Sequence, residues 1–458
     1  RRRRPLSELI AATPADGLVA GVGTVNADAF GRDRARVIAM SYDYLVLAGT
    51  QGQRGHAKKD RMFELAEQAR LPVVLFAEGG GGRPGDTDGS GVTGLDCMAF
   101  ALYAGLSGVV PLVGIASGWC FAGNAALLGC SDVIIATPEA SIGMGGPAMI
   151  EGGGLGVFRP EEVGPADVQR ANGVIDLMAA DDADAVRLAK KYLSYFQGPL
   201  PTWEAPDQRA LRHAIPENRL RIYDVRSLIH TLADVDSVLE LRRDFGHGAV
   251  TALIRVEGRP LGLIANNPAH LGGAIDSPAA DKIARFLQLC DAFGLPVLSL
   301  CDTPGFMVGP DAERTATVRH VSRMFVTAAA VTVPFGVIVL RKGYGLGAQA
   351  MAAGGLRMPR FTVAWPTGEF GPMGLEGAVR LGYRKELAAI ADPAERQRRF
   401  DEMVAASYEN GKAVNVASAF EIDDVIDPIE SRNWITTLLT SPTIGEPAKP
   451  RHHFVDTW

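Results

Sequence analysis

Two short turns rich in small residues are the parts of this sequence best suited to chemistry. They are Ala122-Gly123 and Gly345-Leu346-Gly347, and each stands between an apolar run and a segment of small residues. The pattern indicates a buried strand, a turn and a helix. A helix N-terminus presents backbone N–H groups and positive potential, so each turn could stabilise an oxyanion, such as the enolate oxygen formed beside a thioester. Close packing of helix against strand is the alternative use of such small residues.

Other catalytic and binding signatures are absent from the sequence or incomplete. There is no G-x-S-x-G elbow and no G-x-x-x-x-G-K-[ST] loop. Residues 345–350 fit G-x-G-x-x-A, but the next acidic residue, Glu369, lies in a Gly/Pro-rich turn rather than at a strand end. Residues 86–91 imitate the start of a calcium loop, yet its twelfth position is Cys97 where a glutamate is required. The eight histidines show no metal-ligand spacing, so we predict no metal site.

The two turns belong to two copies of one sequence pattern. Residues 40–82 align without a gap over residues 264–306, and several positions are then identical. Glycine and proline fix backbone geometry, so their shared positions imply shared turns and a duplicated domain. Eight of the identical pairs are Leu47/Leu271, Gly49/Gly273, Lys58/Lys282, Arg61/Arg285, Leu71/Leu295, Pro72/Pro296, Val73/Val297 and Gly81/Gly305.

Each half reads as a series of strand and helix units. Apolar runs bounded by glycine are typical of buried parallel strands, and the segments between them are typical of crossover helices. This predicts an α/β fold with two duplicated domains, which we place at residues 1–205 and 206–458. Residues 97–131 carry no charge and are long enough to span a bilayer. Their six glycines and Pro111 favour instead a buried core of helix, strand, turn and helix.

The bulk composition argues against several classes of protein. A net charge of −6 and a pI near 5.8 do not suit a nucleic-acid-binding protein, which needs a basic face. The five cysteines form no C-x-x-C motif and no secretory segment is present, which favours a reduced, cytoplasmic setting with the cysteines in the core. The basic run Arg1 to Arg4 is expected to be a solvated terminus.

A set of longer motifs makes the sequence recognisable. In the second half they cover residues 258–268, 290–293, 302–306, 341–345, 364–367 and 373–374, and in the first half residues 21–26 and 120–123. On these motifs the chain resembles the carboxyltransferase component of biotin-dependent acyl-CoA carboxylases, over roughly residues 16–440. The halves of that component are both crotonase-like. The resemblance therefore implies two duplicated crotonase-like (ββα spiral) domains, the first on the acyl-CoA side and the second on the carboxybiotin side.

The resemblance also implies a reaction. In this family a carboxyl group moves from carboxybiotin, held on a separate carrier domain, to the α-carbon of an acyl-CoA, so that coenzyme A is part of the substrate. Ala122 and Gly123 would then hold the thioester enolate, and Gly345, Leu346 and Gly347 would face biotin, with no side-chain base required. Two alternatives stay open: the decarboxylase subunit of a sodium-pumping complex, which uses the same turns, and a non-catalytic scaffold.

The expected partners follow from the same resemblance. They are biotin carboxyl carrier and biotin carboxylase domains or subunits, separate or fused in a longer polypeptide, and further copies of this chain, with a hexamer as the default. No lysine here has methionine on both sides, so biotin is expected to come from elsewhere. Only about 15 residues precede Asp16-Gly17, fewer than in free-standing β subunits, which favours the fused form. No nucleic-acid or membrane partner is expected.

Three basic residues are candidates for contacts with the substrate. Lys58, Lys59 and Arg61 lie on a predicted helix in the first half, directly after a glycine-rich turn. Their charge would suit the phosphates of coenzyme A. The alternative is that they form a solvated helix face.

Four positions depart from the propionyl-type pattern of the family. Ala348 stands where those enzymes have an aromatic residue, and Gln349 stands where they have an acid that helps to gate short acyl chains. Their loss implies a longer or broader acyl range. Leu346 replaces a glycine and refills part of that space, and Ala122 replaces the first residue of a Gly-Gly pair.

Overall fold

The computed structural model describes residues 5–83, 97–440 and 454–458, which form two compact units. The first unit ends at Gly198 and also contains Arg242–Phe245 and residues 454–458, whereas the second contains Pro199–Leu241 and the described residues from Gly246 to 440. The boundary placed at residues 205 and 206 stays a proposal. The run Arg1 to Arg4 and the loop 86–91 lie outside the described residues.

The first unit is built on a mainly parallel sheet. Its six strands have the order β1-β2-β3-β4-β6-β8, in which only β1 and β2 pair antiparallel, while β5 and β7 form a separate parallel pair. The strands are β1 Leu18–Thr24, β2 Arg36–Tyr42, β3 Val73–Phe76, β4 Leu112–Ala116, β5 Trp119–Phe121, β6 Val133–Ala136, β7 Ser141–Gly143 and β8 Leu177–Met178. The helices are α1 Leu6–Ala12, α2 Ala27–Phe30, α3 Arg32–Ala35, α4 Gln53–Ala69, α5 Ala99–Gly105, α6 Gly123–Gly129, α7 Pro147–Gly152, α8 Ala166–Ala171 and α9 Asp182–Ser194.

The second unit repeats this plan with one further strand beside its antiparallel pair. The strand order is β16-β14-β13-β12-β11-β10-β9, with β15 pairing to the end of β13. The strands are β9 Leu239–Leu241, β10 Ala249–Val256, β11 Arg259–Asn266, β12 Val297–Thr303, β13 Phe335–Tyr344, β14 Phe361–Ala364, β15 Glu369–Gly371 and β16 Asp424–Val425. The helices are α10 Val225–Leu232, α11 Ser277–Ala292, α12 Pro310–Glu313, α13 Thr317–Ala330, α14 Gly345–Met351, α15 Leu375–Gly382, α16 Arg384–Ala389, α17 Pro393–Asn410, α18 Ala413–Ser418 and α19 Ser431–Thr440.

Continuous apolar strands form the core of each unit. All residues of β4, β6 and β10 are buried, as expected for strands covered on both faces. The uncharged stretch from residue 97 to 131 contains α5, β4, β5 and α6, which confirms the predicted order of elements; β4 is fully buried, whereas Phe100, Ala101, Ala104 and Gly105 of α5 are exposed. Among the described residues, no helix is both long and apolar enough to cross a bilayer.

The sequence repeat is also a repeat of structure. At the offset found in the sequence, β2 matches β11, α4 matches α11 and β3 matches β12. The shared lysine has the same role in both copies: Lys58 Nζ donates to the carbonyl of Leu18, the first residue of β1, and Lys282 Nζ donates to that of Ala249, the first residue of β10. Each lysine thereby fastens its helix to the antiparallel strand of its own unit.

A shared glycine allows a close backbone contact in both copies. Gly49 and Gly273 have φ of +62° and +91°. A Cβ at Gly49 would lie 2.7 Å from the carbonyl oxygen of Glu78, and one at Gly273 would lie 2.3 Å from that of Asp302. The loop after β2 therefore rests directly on the backbone at the end of β3, and the loop after β11 rests in the same way on the end of β12.

This contact gives a matched test of the fold. Gly273→Ala should destabilise the chain by about 3 kcal/mol, because the new methyl group meets a backbone carbonyl and the backbone is strained. Gly272→Ala should cost only about 1 kcal/mol, since its added Cβ meets open space and the first copy already has Ala48 there with φ +57°. Urea unfolding midpoints of the two variants decide the matter, and equal midpoints would contradict the role given to Gly273.

Candidate functional site

The first turn joins β5 to α6, and its backbone is strained. Ala122 has φ +53° and ψ −123°, a region that residues other than glycine rarely adopt. Its N–H donates to Gly143 O at 3.0 Å, which fixes the turn to β7. A Cβ on Gly81 would lie 2.6 Å from the Ala122 Cβ, so only glycine fits there. The N–H groups of Gly123 and the residue after it begin α6 and have no preceding helical turn to bond to.

A buried asparagine directly after this turn holds the surrounding loops together. Asn124 Oδ1 accepts from the Gly81 N–H and from Gln51 Nε2, both at 3.0 Å. Its Nδ2 donates to the carbonyls of Gly49 and Glu78, each at 3.3 Å. The loops that follow β2 and β3 are thus tied to the start of α6. Sequence reasoning missed Asn124 and Gln51; the position of Asn124 next to Gly123 was the available signal.

Lys59 continues this buried network. Its side chain is fully buried, and Nζ donates to Gln51 Oε1 at 2.6 Å and to the Tyr42 hydroxyl at 2.7 Å. Burial lowers the pKa of Lys59 to about 8. The structure therefore gives Lys59 a different environment from the exposed phosphate contact expected for it.

The other two basic residues of α4 lie apart from this cluster. Lys58 donates to the carbonyls of Ala15 and Leu18, so its ammonium group is occupied within the fold. Arg61 remains 65% exposed at its side chain and pairs with Glu64 at 3.2 Å. The structure thus does not bring the three together, and Arg61 alone lies on a solvated helix face.

The second turn joins β13 to α14 with the same kind of close contact. Gly345 has φ +55°, and an added Cβ would lie 2.7 Å from Pro372 O. A Cβ on Gly347 would lie 2.7 Å from the Cα of Gly305, the residue equivalent to Gly81. Leu346 is exposed, whereas Ala348 is buried. Gln349 is exposed on the same turn of α14.

A buried carboxylate anchors the strand that leads into this second turn. Asp302 accepts hydrogen bonds from the Tyr223 hydroxyl at 2.8 Å, the Arg341 guanidinium at 3.2 Å and the backbone N–H of Lys342 at 3.1 Å. Burial and the Asp302 charge raise the pKa of the Tyr223 hydroxyl, so it stays protonated and donates. Asp302, Arg341 and Lys342 all belong to motifs noted in the sequence.

Side-chain nucleophiles and metal ligands are not part of either turn in the described residues. Within the described ranges, no group of three His, Cys, Asp or Glu side chains is placed to hold a metal ion. Cys120, Cys290 and Cys301 are buried, as expected for core residues, and burial raises the pKa of each thiol. The arrangement is therefore suited to binding negatively charged oxygens through backbone N–H groups.

Comparison with known proteins agrees with this geometry. The profile of the family described as carboxyl transferase domain matches residues 3–449. The methylmalonyl-CoA carboxyltransferase 12S subunit of Propionibacterium freudenreichii subsp. shermanii is 34% identical over 441 residues, covering 94% of this chain and 81% of that protein. The biotin-dependent acetyl-/propionyl-coenzyme A carboxylase beta6 subunit of Mycobacterium tuberculosis (strain ATCC 25618 / H37Rv) is 31% identical, covering 94% and 90%.

Solved structures give the same result for the fold. A single-chain, multi-domain long-chain acyl-CoA carboxylase matches with a TM-score of 0.90 and 66% identity, covering 96% of this chain. This chain spans 43% of that larger protein. The crystal structure of the transcarboxylase 12S hexamer matches with a TM-score of 0.83 and 32% identity, covering 97% of this chain and 85% of that one. The predicted α/β fold of two crotonase-like domains is thereby confirmed, and the chain belongs to the carboxyl transferase domain family, as an enzyme that acts as an acyl-CoA carboxyltransferase.

Proposed function

We propose that this chain transfers a carboxyl group from carboxybiotin to the α-carbon of an acyl-CoA, and that it accepts acyl chains longer than propionyl. One observation carries the proposal: each of the two strand-to-helix turns packs against a glycine at a contact that has no space for an added Cβ. Gly81 lies against Ala122 in the first unit, and Gly305 lies against Gly347 in the second. Two such turns suit a reaction in which two oxygens carry negative charge.

The first turn is proposed to bind the thioester. The Gly123 N–H at the start of α6 would donate to the thioester oxygen and stabilise the enolate, a contribution of about 3–4 kcal/mol for one oxyanion donor. Asn124 supports this role because it fixes the Gly81 backbone beneath the turn. Gln51 and Lys59 in turn orient Asn124 through buried hydrogen bonds. The donor is thus held in position before substrate arrives.

The second turn is proposed to face biotin. When bound, carboxybiotin supplies the carboxyl group and a ring nitrogen that accepts the α-proton. The N–H groups of Leu346 and Gly347 would donate to its ureido oxygen, and the contact of Gly347 with Gly305 excludes a side chain at residue 347. The second turn would therefore bind a planar polar ring through backbone donors.

Arg61 of the first unit remains a candidate contact for the coenzyme A phosphates.

Partners and acyl range are proposed from the relatives. The long-chain acyl-CoA carboxylase is a single multi-domain chain, and the transcarboxylase 12S protein is a hexamer. We infer a biotin carrier and a biotin carboxylase, either fused to this chain or separate, and a homo-oligomer with a hexamer as the default. Identity of 66% to the long-chain enzyme supports the longer acyl range implied by Ala348 and Gln349. The alternative of a sodium-pumping decarboxylase receives no support from these relatives.

The acyl range is tested directly by a chain-length series. With a charged biotin carrier, kcat/KM should be maintained or rise from propionyl-CoA toward palmitoyl-CoA, because buried methylenes each add about 0.8 kcal/mol of binding. Mass spectrometry of the products should show one added carboxyl group per acyl-CoA. A sharp fall in kcat/KM beyond propionyl-CoA would contradict the longer range.

The two turns should have separable roles. Gly123→Pro removes the first-turn N–H at a position where a helix tolerates proline. It should lower carboxyl transfer about 100- to 1000-fold while leaving the slow decarboxylation of carboxybiotin without acyl-CoA near its normal rate. Leu346→Pro, which likewise removes an N–H from the first turn of α14, should impair both reactions. Gly123→Ala and Leu346→Ala keep the N–H groups and are the matched controls.

Two results would contradict the roles proposed for the two turns. If a folded Gly123→Pro protein transferred carboxyl groups at the rate of Gly123→Ala, the first turn would not be the thioester site. If Leu346→Pro left carboxybiotin decarboxylation unchanged, the second turn would not face biotin. Circular dichroism of each variant checks that the fold is retained.

The buried Lys59 should make stability depend on pH. The folded protein releases the Lys59 proton above a pKa of about 8, whereas the unfolded chain keeps it up to the ordinary value of 10.5. The unfolded state therefore binds more protons between these values, so wild-type stability should rise with pH relative to Lys59→Met, by up to about 1.4 kcal/mol per pH unit. Urea midpoints measured from about pH 7.5 to about pH 10 test this. The exposed variant Lys385→Met should follow the wild type, and parallel curves for wild type and Lys59→Met would refute the prediction.

A further inference from the structure

The second unit contains a cavity that opens beside the proposed biotin turn. Its volume is about 560 Å³, within the range of about 300–1,000 Å³ that is usual for small-molecule sites. Gly345, Ala348 and Gln349 of the turn form one side of it. The opposite side comes from α15 and from the C-terminal end of α17. The cavity therefore begins at the residues where this chain departs from the propionyl-type pattern.

The most buried side chains that line the cavity are apolar, whereas its polar side chains are half-buried or exposed. Phe370, Leu375 and Val379 are buried and line it. Gln349, Asn410 and Glu421 also line it, but these three side chains are exposed. A ligand that fits such a site is an unbranched aliphatic chain whose polar end stays outside.

We propose that this cavity receives the distal methylene chain of a long acyl-CoA. The inference rests on the proposed carboxyl transfer and goes further by naming the residues that set chain length. Ala348 is buried and contributes only a methyl group to the wall, whereas the aromatic residue of the propionyl-type pattern would occupy that space. The carboxyl-accepting end of the substrate stays outside the cavity, and the hydrocarbon end leaves water for a surface that includes buried apolar side chains.

Helix α15 offers a matched pair of variants for the test. Ala378 lines the cavity and is half-buried, one helical turn from Leu375. Leu381 lies on the same helix but is 69% exposed and is not among the residues that line the cavity. A phenylalanine at residue 378 would fill part of the cavity, whereas a phenylalanine at residue 381 would extend into solvent.

The expected result is a change in chain-length preference and not in overall activity. With the full-length protein and a charged biotin carrier, Ala378→Phe should lower kcat/KM for palmitoyl-CoA at least about tenfold, since each excluded methylene costs about fourfold in binding. The value for propionyl-CoA should change less than twofold, and Leu381→Phe should keep the wild-type profile. An unchanged ratio of palmitoyl to propionyl kcat/KM in Ala378→Phe would overturn the assignment.

A second measurement requires no variant and therefore does not depend on how the variants fold. Wild-type protein is irradiated with a palmitoyl-CoA analogue that carries a diazirine at its methyl end, and the labelled peptides are identified by mass spectrometry. Label in residues 370–383 or 407–421 supports the cavity as the chain site, and label confined to other segments refutes it. Absence of carboxyl transfer to every acyl-CoA would refute the proposed function, whereas normal transfer with label elsewhere would refute only the cavity.

Discussion

The structure depends on a close contact between glycine and backbone that occurs once in each copy of the duplicated pattern. Gly81 approaches the Ala122-Gly123 turn and Gly305 approaches Gly347, so that a Cβ added to Gly81 would lie 2.6 Å from the Ala122 Cβ and a Cβ added to Gly347 would lie 2.7 Å from the Gly305 Cα. Because this contact fixes where each helix begins, it also fixes where the first N–H groups of α6 and α14 point. The position of the backbone donors, and hence any oxyanion chemistry, follows from it. Side chains then adjust specificity without having to supply the main catalytic groups.

The two copies share this backbone geometry but support it with different polar groups. In the first unit the neutral side chains of Asn124 and Gln51 and the basic side chain of Lys59 form a hydrogen-bonded network. This network ties the turn to its neighbouring loops. The positions equivalent to Gln51 and Lys59 in the second unit are both isoleucine. There the buried Asp302 binds Arg341 and Tyr223 and holds the preceding strand. The polar side chains that hold the two turns have thus diverged since the duplication. Each turn therefore has its own electrostatic environment, as the binding of two different ligands would require.

Much of this arrangement could be predicted from the sequence because glycine and proline report backbone geometry directly. The repeat placed β2, α4 and β3 over β11, α11 and β12, and the structure confirms it. The burial of Lys59 was missed because it stands in a charged run, although it shares helical spacing with buried Phe63 and Ala66. The cavity could not be foreseen, since α15 and α17 meet the 345–349 turn only through tertiary packing.

The central claim is that these turns act together to move a carboxyl group onto an acyl-CoA. The most direct test charges a biotin carrier with a 13C-labelled carboxyl group and mixes it with this protein and an acyl-CoA. Carbon NMR of the product should show the label as a carboxyl group bonded to the α-carbon, and the signal should be absent when the protein is omitted. Label recovered only as bicarbonate, with the acyl-CoA unchanged, would contradict the account.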